Sequence, residues 1–125
     1  MIKTIGFPGR YMQGPNAVQH LPDLLNEFSL ARPIILMDDL VRITVGDLLL
    51  KPLSDAKIDA VLLKFSGECT SKVIEQLALE AQNQRADVVV GYGGGKTIDA
   101  AKGIAKAHKL RLIIVPTISS NDSPT

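Results

Sequence analysis

The sequence is poor in the residues that build small stapled or metal-knit folds. It has one cysteine, Cys69, and no tryptophan in 125 residues. A single thiol closes no disulfide within the chain and makes no zinc cluster of CxxC type. Aromatic residues are 4% of the chain against 46% apolar residues of all kinds. Its core must therefore be aliphatic. Neither sign of charge prevails: 14 Lys and Arg stand against 13 Asp and Glu, a net charge of +1. That balance argues against a nucleic-acid partner, because it provides no broad basic surface. It leaves room for a local anion site. No apolar run approaches the roughly 20 residues that cross a bilayer, so no membrane partner is expected. The opening Met1-Ile2-Lys3-Thr4 lacks the apolar segment of a signal peptide. A single cytoplasmic domain is the expectation.

Four short runs rich in Ile, Val and Leu stand out: Pro33–Met37, Ala60–Phe65, Asp87–Gly91 and Arg111–Pro116. None alternates regularly with polar residues, which is the pattern of strands buried on both faces of a parallel sheet. They recur about every 25 residues, near the repeat of a βαβ unit. Helical stretches separate them. In Thr70–Gln84, Val73, Leu77 and Ala81 form one stripe with Ile74 and Ala78 beside it, and Thr70 or Ser71 is placed to cap it. A second helix is expected from about Lys96 to His108, with Ile98, Ala101 and Ala105 inward and Lys102 and Lys106 outward. A third lies around Leu40–Leu53, its end blurred by Pro52. A fourth lies near Asn16–Phe28, where Pro22 calls for a late start or a kink. Ile2–Gln13 reads as an added strand or hairpin. The alternation predicts an α/β fold, a Rossmann-like parallel sheet with helices on both faces. The sequence closes on Ser123-Pro124-Thr125, a polar loop just past a buried strand, and a truncated domain is expected.

The strongest local feature is Gly91-Tyr92-Gly93-Gly94-Gly95-Lys96-Thr97-Ile98-Asp99, which follows a strand and opens a helix. Glycines let the backbone come close to a ligand. The helix start offers unpaired N–H groups and the positive end of a dipole. Lys96 adds a full charge, so a pyrophosphate suits the setting. The run departs from two familiar patterns. A G-x-G-x-x-G fingerprint would need glycine where Lys96 stands. A Walker A loop would need it at position 90, which is Val90. A plain tight turn is the bland alternative, but four glycines and a lysine exceed what a turn requires.

Ligands of open α/β sheets bind beyond the carboxyl ends of strands, and two more such ends carry suggestive groups. Asp38 and Asp39 follow the first run. A carboxylate there can accept both hydroxyls of an adenosine ribose and repel a 2′-phosphate, favouring NAD over NADP. It can equally cap the next helix. Asp38 admits both roles, and for Asp39 the cap is preferred. In the ordinary arrangement such an acid follows the glycine loop by about 20 residues; here it precedes the loop. After the last run come Thr117-Ile118-Ser119-Ser120-Asn121-Asp122, whose hydroxyls and carboxylate suit a polar ligand as well as they suit a solvated turn. Asp99 fits the start of a helix on dipole grounds and could also accept from a carboxamide.

Gly93-Gly94-Gly95-Lys96-Thr97-Ile98-Asp99-Ala100-Ala101-Lys102 resembles the GGGKTxDxAK signature of glycerol dehydrogenases, within the iron-type alcohol dehydrogenases. Phe7-Pro8-Gly9-Arg10-Tyr11-Met12-Gln13-Gly14 is similar to their SPxKYxQG opening. Pro116-Thr117-Ile118-Ser119-Ser120-Asn121-Asp122-Ser123-Pro124 is similar to their PTxASTDAP segment, and Ser66-Gly67-Glu68-Cys69 to a GGEC stretch. The glycine run alone would point only to the wider superfamily that includes dehydroquinate synthase. The segments together, in order along the chain, point to the family.

The resemblance implies that residues 1–125 form the NAD-binding N-terminal domain of a two-domain, dehydroquinate-synthase-like fold. It implies that Asp38 holds the adenosine ribose and that Gly94, Gly95, Lys96 and Thr97 hold the pyrophosphate. By the same resemblance Asp99 lies near the nicotinamide amide, Thr117, Ser119 and Ser120 contact the cofactor, and Asp122 contacts glycerol. Ser119, Asn121 and Ser123 replace the family's usual Ala, Thr and Ala. A contact from Ser119 would then be made by its backbone. The family's zinc ion, sometimes another divalent metal, lowers the pKa of the substrate alcohol as a Lewis acid. Its ligands come from a later helical domain, so no metal ligand is assigned here, not even to His20 or His108. Cys69 is expected to be a loop or packing residue. The implied activity is oxidation of glycerol to dihydroxyacetone by a homo-oligomer, and this segment alone is expected to be inactive. The alternatives are a glycerol-1-phosphate or other polyol dehydrogenase, a P-loop-like nucleoside triphosphatase, and a non-catalytic nucleotide-binding module.

Overall fold

The computed structural model describes residues 2–5, 9–12 and 17–117. Strands β1 (Ile2–Ile5) and β2 (Gly9–Met12) form the expected hairpin. A 3-10 turn at Ala17–His20 leads into α1 (Leu21–Glu27). Then follow β3 (Pro33–Asp38), α2 (Asp39–Asp55), β4 (Val61–Phe65), α3 (Ser71–Asn83), β5 (Val88–Gly93), α4 (Gly95–His108) and β6 (Arg111–Pro116). The sheet order is β1-β2-β6-β5-β3-β4, parallel throughout except for β1.

The expected Rossmann-like architecture is present, and each difference of detail has a local cause. Pro22 falls in the first turn of α1, where its missing N–H has no helical partner to lose. Pro52 does not end α2; it sits in the last turns, and the helix runs on to Asp55. The run Ala60–Phe65 is not buried on both faces, because β4 is the sheet's edge strand. Leu63 and Phe65 enter the core while Leu62 and Lys64 are exposed. β5 extends two residues past Gly91, because Tyr92 and Gly93 pair with Val115 and Pro116. Asp87 stays outside that strand. Its two carboxylate oxygens accept from the N–H groups of Ala31 (2.8 Å) and Arg32 (3.0 Å), tying the entries of β5 and β3 together. Lys102 is half-buried rather than outward.

Helices α1 and α2 cover one face of the sheet, burying Leu21, Leu25, Leu49 and Leu53 against Ile35, Val88 and Val90. Helices α3 and α4 cover the other, burying Leu77, Ala81, Ala101 and Ile104 against Ile34, Leu36, Val89 and Ile114. Thr70 is the cap of α3, its Oγ1 accepting from the N–H of Val73 at 3.2 Å. α4 is gripped on two sides by contacts that admit no Cβ. One added at Gly91 would lie 2.7 Å from the Cβ of Ala101, and one at Gly103 would lie 2.9 Å from Ile74.

The helices stop alike, and none of them uses glycine. Ser29, Lys57, Arg85 and Lys109 all take the left-handed conformation. Each is followed by an apolar residue whose N–H returns to a carbonyl in the last turn: Leu30 to Leu25, Ile58 to Leu53, Ala86 to Ala81 and Leu110 to Ala105. These are Schellman-type closures, in which a hydrophobic contact secures the turn.

Candidate functional site

The chain reverses its direction of winding between β3 and β5. From β3 it crosses by α2 to β4 on one side; from β4 it crosses back by α3 to β5 on the other. Such a switch point opens a crevice at the carboxyl ends of the two strands. Leu36 pairs with Gly91; two residues further on, Asp38 and Gly93 end neighbouring strands. Strand order thus explains why the acid precedes the glycine turn in sequence: what matters is adjacency in the sheet.

Asp38 is half-buried and caps α2, its Oδ1 accepting from the N–H of Val41 at 2.8 Å. Its other oxygen has no hydrogen-bond partner among the described residues. Capping and ligand binding therefore do not compete. The cap expected of Asp39 belongs to Asp38. Asp39 lies in the first helical turn and is exposed, with a loose contact to Arg42 at 3.7 Å. Beside this corner an open groove of about 810 Å³ runs between α2, β4 and α3, lined by Met37, Arg42, Lys64, Phe65, Ser66 and Gln76 among others.

The glycines divide their tasks. Gly91 lies within the strand and is required by Ala101 rather than by a ligand. Gly93 takes φ +157° and rests against Thr97, whose Oγ1 would be 3.0 Å from an added Cβ. Gly94 and Gly95 have nothing among the described residues within 4 Å of such an atom. Gly94 has an ordinary extended backbone, φ −91° and ψ −164°. Among the described residues neither packing at Gly94 and Gly95 nor the backbone of Gly94 demands glycine, and the absence of a side chain leaves the turn open to close approach. The N–H groups of Gly95, Lys96 and Thr97 open α4 with no side-chain cap and lack helical partners.

The remaining expected residues are placed as follows. Lys96 is exposed on the first turn of α4. Thr97 is 1% exposed; its side chain braces the turn from beneath, leaving its N–H as the group it can offer. Asp99 is exposed and falls just beyond the first turn, since α4 begins at Gly95 and not at Lys96; this weakens the dipole explanation for it. Thr117 is brought to the glycine turn, its N–H donating to the carbonyl of Gly93 at 3.0 Å. Ser119, Ser120 and Asp122 lie outside the described residues. Cys69 is half-buried and packs against the core beneath α3 and α4, as expected. His20 is exposed near Asp23, and His108 ends α4.

Tyr92 was not among the expected site residues. It is 4% exposed, and its hydroxyl donates to the carbonyl of Val45 in α2 at 3.0 Å. Burial pushes its phenol above the ordinary value of about 10. A lone aromatic between two glycines, in a chain so poor in aromatics, was the available signal.

A doubly wound sheet with an acid and an open glycine turn at its switch point defines a Rossmann-like α/β domain. The chain belongs to the iron-containing alcohol dehydrogenase family, whose sequence model matches residues 8–125. It is 39% identical over 125 residues to a glycerol dehydrogenase of Thermotoga maritima, covering 99% of this chain and 33% of that protein. It is 36% identical over 129 aligned positions to a glycerol dehydrogenase of Citrobacter freundii, covering 100% and 34%. The fold matches the crystal structure of a probable glycerol dehydrogenase from Sinorhizobium meliloti with a TM-score of 0.73 and 29% identity, covering 93% of this chain and 31% of that one. The chain spans about a third of the length of the relatives it matches. Among the described residues no helix is long and apolar enough to cross a membrane.

Proposed function

We propose that this chain is the NAD-binding part of a cytoplasmic, homo-oligomeric glycerol dehydrogenase, which oxidises glycerol to dihydroxyacetone. The observation that carries the reading is the pairing of Asp38 with the open turn at Gly93–Gly95 on adjacent strand ends. The free oxygen of Asp38 can accept from the ribose hydroxyls. The N–H groups of Gly95, Lys96 and Thr97 can donate to the pyrophosphate, with the Lys96 ammonium beside them. A 2′-phosphate would meet the Asp38 carboxylate, so NAD is favoured over NADP. Thr117, beside the turn, is the group next along the crevice, and Asp99, Ser119, Ser120 and Asp122 keep the roles that the resemblance assigns them.

The dehydrogenase would also need a metal to acidify the substrate alcohol, and zinc is the ion proposed. Among the described residues no three of His, Cys, Asp or Glu stand together as a metal site. The described residues do not fit the metal, and the chemistry assigned to them is confined to holding the dinucleotide, with Asp122 left its contact to glycerol. The names of the matched relatives support the polyol substrate; the family's name mentions iron instead of zinc.

The test is glycerol-dependent NADH formation by the full-length protein, before and after chelation. Activity abolished by the chelator and restored by zinc is the expected result. Restoration by iron alone would replace zinc. Absence of glycerol oxidation with NAD still bound would move the substrate to a phosphorylated polyol or another alcohol, and failure to bind NAD would remove the reading altogether.

A further inference from the structure

Resting on that reading of the crevice, we infer that Tyr92 is a positioning residue that sets the separation of its two halves, the Asp38 carboxylate and the glycine turn. Tyr92 immediately precedes Gly93, and its ring lies in the apolar layer beneath α1 and α2. Its neighbours on either side, Gly91 and Gly93, abut α4 through Ala101 and Thr97. The end of β5 is thus bound to α4 by its glycines and to α2 by its one side chain. The partner, Val45, lies in the second turn of the helix that Asp38 caps. Among the described residues this is the only side-chain hydrogen bond that joins the two halves.

Packing alone does not call for the hydroxyl. A phenylalanine would fill the same space and spare the cost of burying a polar group. The Val45 carbonyl stands inside a helix, where the N–H four residues on already serves it. The Tyr92 bond is therefore additional to the helix ladder and directional, and it fixes how far α2 stands from the end of β5. A dinucleotide touches both halves at once, so its affinity depends on their separation. A ligand that touches one half does not sense it.

The experiment compares wild-type and Tyr92→Phe full-length protein for binding of NAD, adenosine and inorganic pyrophosphate, with melting temperature as a control. NAD affinity is expected to fall roughly fivefold, about 1 kcal/mol, the net worth of one hydrogen bond. Adenosine and pyrophosphate, each bound singly, are expected to be unchanged. Tyr92→Met, which keeps an apolar side chain in the layer and also lacks the donor, should reproduce the pattern. Unchanged NAD affinity in Tyr92→Phe would overturn the inference. So would parallel losses for NAD and adenosine, which would mean a general loosening. If the wild-type protein binds no NAD, the crevice reading and this inference fail together, an outcome distinct from failure of Tyr92 alone.

Discussion

At the amino ends of the strands, hydrogen bonds close upon the chain itself; at the carboxyl ends, several bonding groups have no partner among the described residues. The lower end holds the left-handed closures at Ser29, Lys57, Arg85 and Lys109. It also holds the Asp87 clamp on Ala31 and Arg32 and the guanidinium of Arg111, 5.0 Å from the centre of the Phe28 ring. The upper end holds a carboxylate with one oxygen bonded and the other without a hydrogen-bond partner among the described residues, and a helix start with no side-chain cap. The contrast separates residues bonded within the sheet from residues that, on the proposed reading, hold the dinucleotide. Glycine follows the same division. It is absent from the helix stops, where it usually serves, and is concentrated around the turn between β5 and α4.

Substitutions can break that contrast. The largest effect is expected from Gly94→Val, whose side chain would fill the space before the turn. NAD affinity should drop about a hundredfold or more, about 2.7 kcal/mol, while the melting temperature holds; calorimetric titration and thermal melting read the two separately. A matching loss of stability would mean that Gly94 serves the fold. Asp87→Ala should do the reverse, costing about 2 kcal/mol through two N–H groups left without their carboxylate and leaving NAD binding unchanged in the folded fraction. Denaturant unfolding measures the cost, and a change in NAD affinity would show that the two ends are coupled. Asp38→Ser sharpens the comparison within one residue, because serine still caps a helix but carries no charge. NADP should compete about tenfold better, about 1.4 kcal/mol, with little change in stability. An unmoved NAD-to-NADP preference would take Asp38 out of the ribose site. The smallest effect is expected from Lys57→Gly, which relieves a left-handed residue of its Cβ and should stabilise the protein by about 1 kcal/mol. A loss instead would show that the lysine side chain outweighs the backbone strain.

Much of the architecture could be read from the sequence because its signals are local. Buried strands appear as unbroken Ile-Val-Leu runs, and the stripe of α3 appears as spacing. The glycine turn could be located for the same reason. What could not be read depends on contacts between distant segments. Whether a glycine serves packing or a ligand depends on Ala101 and Thr97, which only the fold brings to Gly91 and Gly93. The adjacency of Asp38 and Gly93 depends on strand order, which periodicity does not encode. The role of Tyr92 depends on a carbonyl 47 residues away. Helix stops at Lys57 and Arg85 carry no sequence mark, since the usual glycine is missing and the apolar residue that secures each closure resembles any other strand-entry residue.

The two bare contacts that grip α4, at Gly91 against the sheet and at Gly103 against α3, bear on entropy. A helix held by backbone-close packing on both flanks has little freedom to slide or tilt. On the proposed reading, its opening N–H groups are therefore aimed before the pyrophosphate arrives. Binding there need not spend free energy on ordering the donors, so more of each hydrogen bond is left to appear as affinity.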